Sequence, residues 1–337
     1  FKELDKKGLI EKGFKAMHLC PRCGTTLSNF EVNQGYKDIT DIAVTVKLEL
    51  VDEPGTYLLI WTTTPWTLPG NMAAAVNADF EYVKVKIEDS KYILAKERLS
   101  ILENGYEVME TFSGRSLVGK KYKPPFDYFL NANIPNKENT WKVYAAPYVT
   151  LEDGTGIVHL APAFGEEDLL LAKEKGIPIV HHVDQNGQFM PEVKDFEGLQ
   201  VKPKDDHQKT DIEVLKNLAA RGLLFAKQKV IHSYPHCWRC DTPLLNYAAT
   251  SWFVSVPKIK DQIIAENKKI GWVPQSVGEY RFGNWLEGAR DWAISRARFW
   301  GAPLPVWEAE DGSRIIVGSK KDLLEYAPKA KNRYVVM

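Results

Sequence analysis

The sequence has no surplus of either charge. Its 44 Lys and Arg balance 44 Asp and Glu, so no whole-surface field marks a nucleic-acid binder, and any such binding needs a local patch. No apolar run is long enough to span a bilayer, and no signal peptide is recognisable, so no membrane role is expected. There is no Ser-His-Asp spacing, no Walker loop and no HExxH, which removes the commonest motif-bearing hydrolases and nucleotidases. Internal repeats and low-complexity tracts are also missing. Cysteine is scarce: four residues in 337, with none left over once they are paired by spacing. With 44% apolar and 26% charged residues the composition is that of an ordinary soluble globular protein, long enough for two or three domains and a core that needs no disulfides. The opening "FKELDKKGLIEKG" reads as the middle of a helix, and with "KNRYVVM" at the other end it suggests a piece of a longer chain.

What is present begins with those cysteines. Cys20-Pro-Arg-Cys23 and Cys237-Trp-Arg-Cys240 are two pairs of thiols, each able to grip one tetrahedral ion from a tight turn. A redox pair or four unrelated thiols would fit the same letters, but a redox motif is expected once, not twice. One structural zinc held by all four cysteines is therefore the expectation, closing the base of a long insertion. His18, His232 and His236 flank the pairs and could be ligands, although four sulfurs already fill the site. This use of cysteine also points to an intracellular, cytoplasmic location.

Between the pairs the pattern is mostly strand. "DIAVTVKLELV" (41–51) alternates, "TYLLIW" (56–61) is apolar throughout, "EYVKVKIE" (81–88) alternates again, and "GIVHLAP" (156–162) and "IPIVHHV" (177–183) read as further strands. "EEDLLLAKEKG" (166–176) and "DIEVLKNLAARG" (211–222) have the charge order and terminal glycine of helices. After the second pair "IKDQIIAENKKIGW" reads as a helix, and "NWLEGARDWAISRARFWGAPLPVW" is dense in Trp and Arg and ends in a Pro-rich strand. The expected fold is α+β: a β-rich barrel or strongly curved sheet with peripheral helices and a zinc-knuckle base, followed by part of a different domain. The expected boundaries are 1–40 for an N-terminal helix and first knuckle, 41–230 for the β-rich domain, 231–256 for the second knuckle and a return strand, and 257–337 for the remainder.

Two stretches could carry chemistry. In "LLIWTTTPWTLPGN", Pro65 cannot continue a strand and keeps Thr64 out of helical geometry, so Thr62, Thr63 and Thr64 must end a strand at a rim, between Trp61 and Trp66. By composition alone this is also an ordinary threonine-rich strand end. In "GTGIVHLAPAFGEED", His159 lies mid-strand, where a histidine is more often a hydrogen-bonded core residue, and Glu166 and Glu167 fit a helix start.

Taken together, "WTTTPWTLPGN", "GTGIVHLAPAFGEED", "CPRCGTTLSNFEV", "HSYPHCWRCDTPL" and "RDWAISRARFWGAPLPVW" resemble the isoleucyl-tRNA synthetases, class I enzymes, in order and over nearly the whole chain. The valine and leucine sister enzymes usually have an arginine where Thr64 precedes Pro65, and lack a histidine at the place of His159. The resemblance implies an editing domain set in the connective insertion, with a Rossmann-type catalytic piece at the C-terminal end. It implies hydrolysis of valyl-tRNA(Ile), because a synthetic pocket separates valine from isoleucine by only one methylene, a discrimination for which this family is the standard example. Thr62, Thr63 and Thr64 with Trp61, Trp66 and Thr67 would then line a second pocket for the terminal adenosine and the ester. His159 would crowd the side-chain end and refuse isoleucine, and Asp168 would hold the α-ammonium. The resemblance gives no certain general base, and the substrate's own ribose hydroxyl is one candidate. Zinc on Cys20, Cys23, Cys237 and Cys240 would be structural. ATP and Mg2+ would serve only the full-length enzyme, since the HIGH-type and KMSKS-type signatures are missing here and this piece should not aminoacylate. Trp292 resembles the tryptophan that packs on isoleucine in the synthetic site, although Trp285, Trp292 and Trp300 also read as core aromatics. The implied partner is the acceptor end of tRNA(Ile), met by a monomer. Two alternatives stay open: a zinc-clamped module that binds tRNA without hydrolysis, and the editing domain of a sister enzyme.

Overall fold

The computed structural model describes residues 1–102, 105–295 and 303–328. The chain divides into two units, Lys15–Ala249 and Phe1–Phe14 with Thr250–Met337. It passes between them twice, within β1 (Ile10–Cys20) and within a late strand, Leu245–Val254.

In the unit Lys15–Ala249, β1 is followed by β2 (Thr25–Thr26), β3 (Tyr36–Glu49), β4 (Thr56–Thr62), β5 (Ala73–Val76), β6 (Glu81–Ile87) and β7 (Ser90–Ala95). Then come β8 (Glu107–Ser113), β9 (Val143–Ala145), β10 (Ile157–Leu160), β11 (Leu224–Pro235) and β12 (Leu245–Val254). The mixed sheet has nine strands in the order β8-β6-β7-β4-β10-β5-β9, with β3 and β11 branching from β4. Among the described residues it is an open, curled sheet rather than the closed barrel the sequence also allowed.

β4 is the hub. It pairs antiparallel with β3 along its whole length, parallel with β7 near its start, and parallel with β10 where Val158 meets Trp61. A strand covered on both faces must be apolar on both. That is why "TYLLIW" does not alternate, and Leu58, Leu59 and Ile60 are all fully buried. β3 and β6 do alternate, with Val44, Val46, Leu48, Val83 and Val85 inward.

Among the described residues up to Ala249 the α-helices are α1 (Lys2–Lys6), α2 (Asn29–Asn33), α3 (Glu166–Lys175) and α4 (Lys209–Ala220). α3 closes on Gly176 at φ +66°, a left-handed position that favours glycine. α4 buries Val214, Leu215 and Leu218.

Two expectations are corrected. The N-terminal helix stops at Lys6, and β1 follows from Ile10, because Gly8 turns the chain at φ +67°. The stretch 177–183 is no strand: only Val183 makes a bridge, to Phe189. Its histidines bond to carbonyls elsewhere, His181 to Ala248 and His182 to Trp66, so the segment is tied by side chains instead of a ladder.

The unit that includes Thr250–Met337 holds α5 (Lys260–Asn267), α6 (Gly283–Glu287), α7 (Lys320–Tyr326), a two-residue strand at Trp292–Ala293 and an antiparallel hairpin, Val306–Glu308 with Arg314–Ile316. Its described strands are short, and no Rossmann-type parallel sheet is among them. Trp285 and Trp292 are 65% and 62% exposed, so they are not core aromatics in this chain. Trp300 lies outside the described residues.

Candidate functional site

β4 and β10 run parallel and end at one rim, at Thr62 and Leu160. The segments that leave these two strands build the site. After β4 comes a short 3-10 turn, Pro65–Gly70, with Thr64 as its N-cap. After β10 come Ala161–Gly165 and the start of α3. The glycine-rich approach to β10 lies over the first motif: a Cβ on Gly154 would come 3.0 Å from the Trp61 ring at a left-handed φ of +67°, a position that favours glycine.

The threonines form a relay of hydroxyls. Thr62 Oγ1 lies 3.1 Å from Thr64 Oγ1 and accepts the Thr64 amide at 3.1 Å. Thr64 Oγ1 is 3.3 Å from Thr67 Oγ1, which in turn donates to the Thr64 carbonyl at 2.7 Å. Thr63 and Thr64 are half-buried, while Thr62 and Thr67 are buried.

The relay continues into His159. Its Nε2 is 3.0 Å from Thr67 Oγ1, and its Nδ1 is 2.8 Å from the Asn71 Nδ2 amide. Asn71 also bonds Ala73 and accepts from the Tyr122 hydroxyl at 2.8 Å. The donors fix the ring: an amide N–H can only donate, so Nδ1 accepts and Nε2 carries the proton toward Thr67. Burial drives the His159 pKa down to about 3, with His182 adding to the fall, so the ring is neutral at pH 7. With both nitrogens engaged, His159 has no lone pair for a substrate proton. The ring is held at both nitrogens and uncharged.

Asp168 sits in the first turn of α3 and folds back so that Oδ2 accepts the Ala161 amide at 2.8 Å, two residues beyond His159. A Cβ on Gly165 would come within 2.8 Å of its carboxyl carbon, so glycine permits this return. Burial raises its pKa to about 7, against the lowering effect of the Ala161 bond. Tyr148 responds to the same charges: burial raises its pKa, and Asp168 and Glu167 add to the rise. Its hydroxyl is buried without a hydrogen-bond partner among the described residues.

Trp66 is only 2% exposed. It lies beneath the turn and packs edge-on against Phe164 at 5.2 Å, joining the segments beyond the two strands. Trp61 is half-buried, and its indole nitrogen has no partner among the described residues. Trp292 lies in the other unit. Sequence reasoning missed Asn71, Tyr148 and His182. An Asn after Pro-Gly reads as a turn residue, and the only hint was its place closing the threonine motif.

The four cysteines meet as expected. Their sulfurs all lie within 4.8 Å of one another and none is in a disulfide. Cys20 and Cys23 are 3.5 and 3.7 Å from Cys240, close to the ~3.8 Å edge of a tetrahedron with Zn–S bonds of about 2.3 Å. The Cys23 amide points at the Cys20 sulfur at 3.4 Å, and Gly24 and Asp241 turn the two knuckles at φ +60° and +63°. The cluster could hold a metal ion, and an all-thiolate set suits zinc. His236 hydrogen-bonds the Tyr234 carbonyl and His232 bonds Asp41, and neither belongs to the ligand cluster.

The described residues thus combine a curled mixed sheet, a hydroxyl relay where β4 and β10 end, and a cluster of four sulfurs. Residues 1–334 match the tRNA synthetases class I (I, L, M and V), and the chain belongs to that family. Within it, the chain is similar to the isoleucine–tRNA ligases of Clostridium tetani, 43% identical over 325 residues, and Bdellovibrio bacteriovorus, 46% identical over 329 residues. Each match covers 96% of this chain and 30% of the relative, so the chain spans about 30% of those relatives' length. Among solved structures, GlLeuRS-CP1 overlaps 39% of this chain and 59% of its own at 19% identity and a TM-score of 0.33. An editing domain of the P. falciparum cytosolic leucyl-tRNA synthetase overlaps 40% and 67% at 11% identity and a TM-score of 0.32.

Proposed function

We propose that the unit Lys15–Ala249 is a proofreading hydrolase that removes valine from mischarged tRNA(Ile). The observation that carries this reading is the tautomer-locked His159 at the end of a threonine relay, with the Asp168 carboxyl folded onto the loop after the same strand. A cleft that must accept valine and refuse one more methylene needs a rigid wall, and His159 is held at both nitrogens. A valyl ester carries an α-ammonium, and Asp168 supplies the carboxylate for it once ionised.

Ester hydrolysis needs a positioned water and a stabilised oxyanion. Thr63 and Thr64 are the half-buried members of the run, and the Thr63 hydroxyl is not drawn into the relay, so these two are assigned to water and the terminal ribose. Thr62 and Thr67 hold the relay in place. Trp61 gives an aromatic wall for the adenosine, and Trp66 supports the turn from below. His159 and Thr67 exclude the larger side chain. Among the residues assigned to this site none is a free general base at neutral pH apart from Asp168, and its task is the ammonium. The neighbouring ribose hydroxyl of the substrate therefore takes the proton-handling role. Zinc on Cys20, Cys23, Cys237 and Cys240 would supply a structural cross-link and no step of this chemistry. ATP, Mg2+ and Trp292 belong to aminoacylation in a longer enzyme.

The test is release of valine from valyl-tRNA(Ile) by the zinc-loaded chain. Thr63→Val should lower the rate at least tenfold with little change in stability. Wild-type rates in that variant would remove Thr63 from the mechanism, and no release by the folded wild-type chain would favour a module that binds tRNA only.

A further inference from the structure

A threonine at a helix N-cap ordinarily spends its hydroxyl on the N–H of the second or third residue inside the helix. Thr64 is the N-cap of the turn Pro65–Gly70 and makes no such bond. The N–H that it would cap belongs to Trp66, and that N–H instead donates to Asp211 Oδ1 at 3.0 Å. Asp211 comes from the first turn of α4 and is fully buried. The other end of Trp66 is held as well: His182, also fully buried, donates from Nε2 to the Trp66 carbonyl at 3.1 Å. Both polar groups of this residue's backbone are thus taken by side chains from distant segments, below the turn.

Thr64 Oγ1 is therefore free to lie 3.1 Å from Thr62 Oγ1 and 3.3 Å from Thr67 Oγ1, in the relay. Asp211 is itself held. Lys202 Nζ, with no exposed side-chain surface, lies 3.4 Å from its Oδ2 and 2.8 Å from Asp41 Oδ1. Burial raises the Asp211 pKa and the Lys202 ammonium lowers it, and Oδ1 can accept in either charge state.

We propose that Asp211, backed by Lys202, is a positioning residue for hydrolysis: it caps the turn in place of Thr64 and so releases the Thr64 hydroxyl to the reaction. The proposal rests on the reading of this site as a hydrolase. Without Asp211, Thr64 should rotate onto the Trp66 N–H and leave the relay.

The experiment is a double-mutant cycle on valyl-tRNA(Ile) deacylation with Asp211→Ala and Thr64→Val. Each single change should lower kcat at least tenfold with KM within about threefold, and the double variant should be no slower than Thr64→Val alone. Asp211→Asn keeps an acceptor oxygen and should retain kcat within threefold. Multiplying effects in the cycle, or an Asn variant as slow as the Ala variant, would overturn the proposal. Amide exchange in the wild-type chain provides a reading that needs no variant to fold: the Trp66 N–H should exchange slowly, and rapid exchange overturns the proposal whatever the hydrolysis assay gives. If the wild-type chain releases no valine while that N–H is protected, the hydrolase reading fails and the cap itself stands.

Discussion

His159 Nδ1 lies 2.8 Å from the Asn71 side-chain amide, and that contact sets the tautomer of the ring while burial keeps it uncharged. The proton is left on Nε2, facing Thr67. A histidine held in this way excludes by shape. His159→Ala should let the chain release isoleucine from isoleucyl-tRNA(Ile), lowering the valine preference by about tenfold or more, the scale of a one-methylene discrimination. Deacylation of the two esters in parallel reads this directly. An unchanged preference would mean that another group forms the wall.

The proposed role of Asp168 predicts a deacylation rate that depends on pH. Its folded pKa of about 7 stands above the ~3.9 of an exposed aspartate. The fold favours the neutral form, so its contribution to stability is complete below about pH 4 and is lost as pH rises through 7. Holding an ammonium needs the ionised form, so background-corrected kcat/KM for deacylation should fall about tenfold per unit as pH drops below 7. Asp168→Asn should flatten the profile at a low rate. A wild-type profile already flat between pH 5 and 8 would contradict the assignment.

Gly70 bears on the same turn from another side. A Cβ there would lie 2.0 Å from His182 Nδ1, in a packed interior. Gly70→Ala should cost about 1–3 kcal/mol of stability by overpacking, seen as a lower denaturant midpoint. It should slow deacylation too, because His182 holds Trp66. A variant as stable as the wild type would show that the two residues are not in contact.

The sulfur cluster predicts one bound zinc per chain by metal analysis. Chelation, or Cys20→Ser, should lower the melting temperature and loosen β1 and β2, which pair through Leu19 with Thr26 and Cys20 with Thr25 beside the cluster. A metal-free chain of unchanged stability would contradict this.

Much of this was legible in the sequence, for particular reasons. The cysteine pairs were readable because metal spacing is a local property, β3 and β6 because their burial follows chain periodicity, and β4 because its run is apolar throughout. The stop at Thr62–Thr64 was readable because proline acts on its immediate neighbours. The stretch 177–183 was misread because His181 and His182 find carbonyl partners far along the chain, which an apolar run cannot reveal. Asn71 and Asp211 were missed for the same reason. Each acts through one hydrogen bond to a residue 88 or 145 positions away, and no spacing rule reaches that far. The three threonines, indistinguishable as letters, separate in the fold: Thr62 is buried in the relay, Thr64 joins the relay without capping its turn, and Thr63 stands outside the relay.

The most direct test of hydrolytic proofreading is the rate at which the zinc-loaded chain releases amino acid from valyl-tRNA(Ile) compared with isoleucyl-tRNA(Ile). Release of valine well above the spontaneous rate, and of isoleucine near it, is the predicted result. Equal release of both, or release of neither by the folded chain, would contradict it.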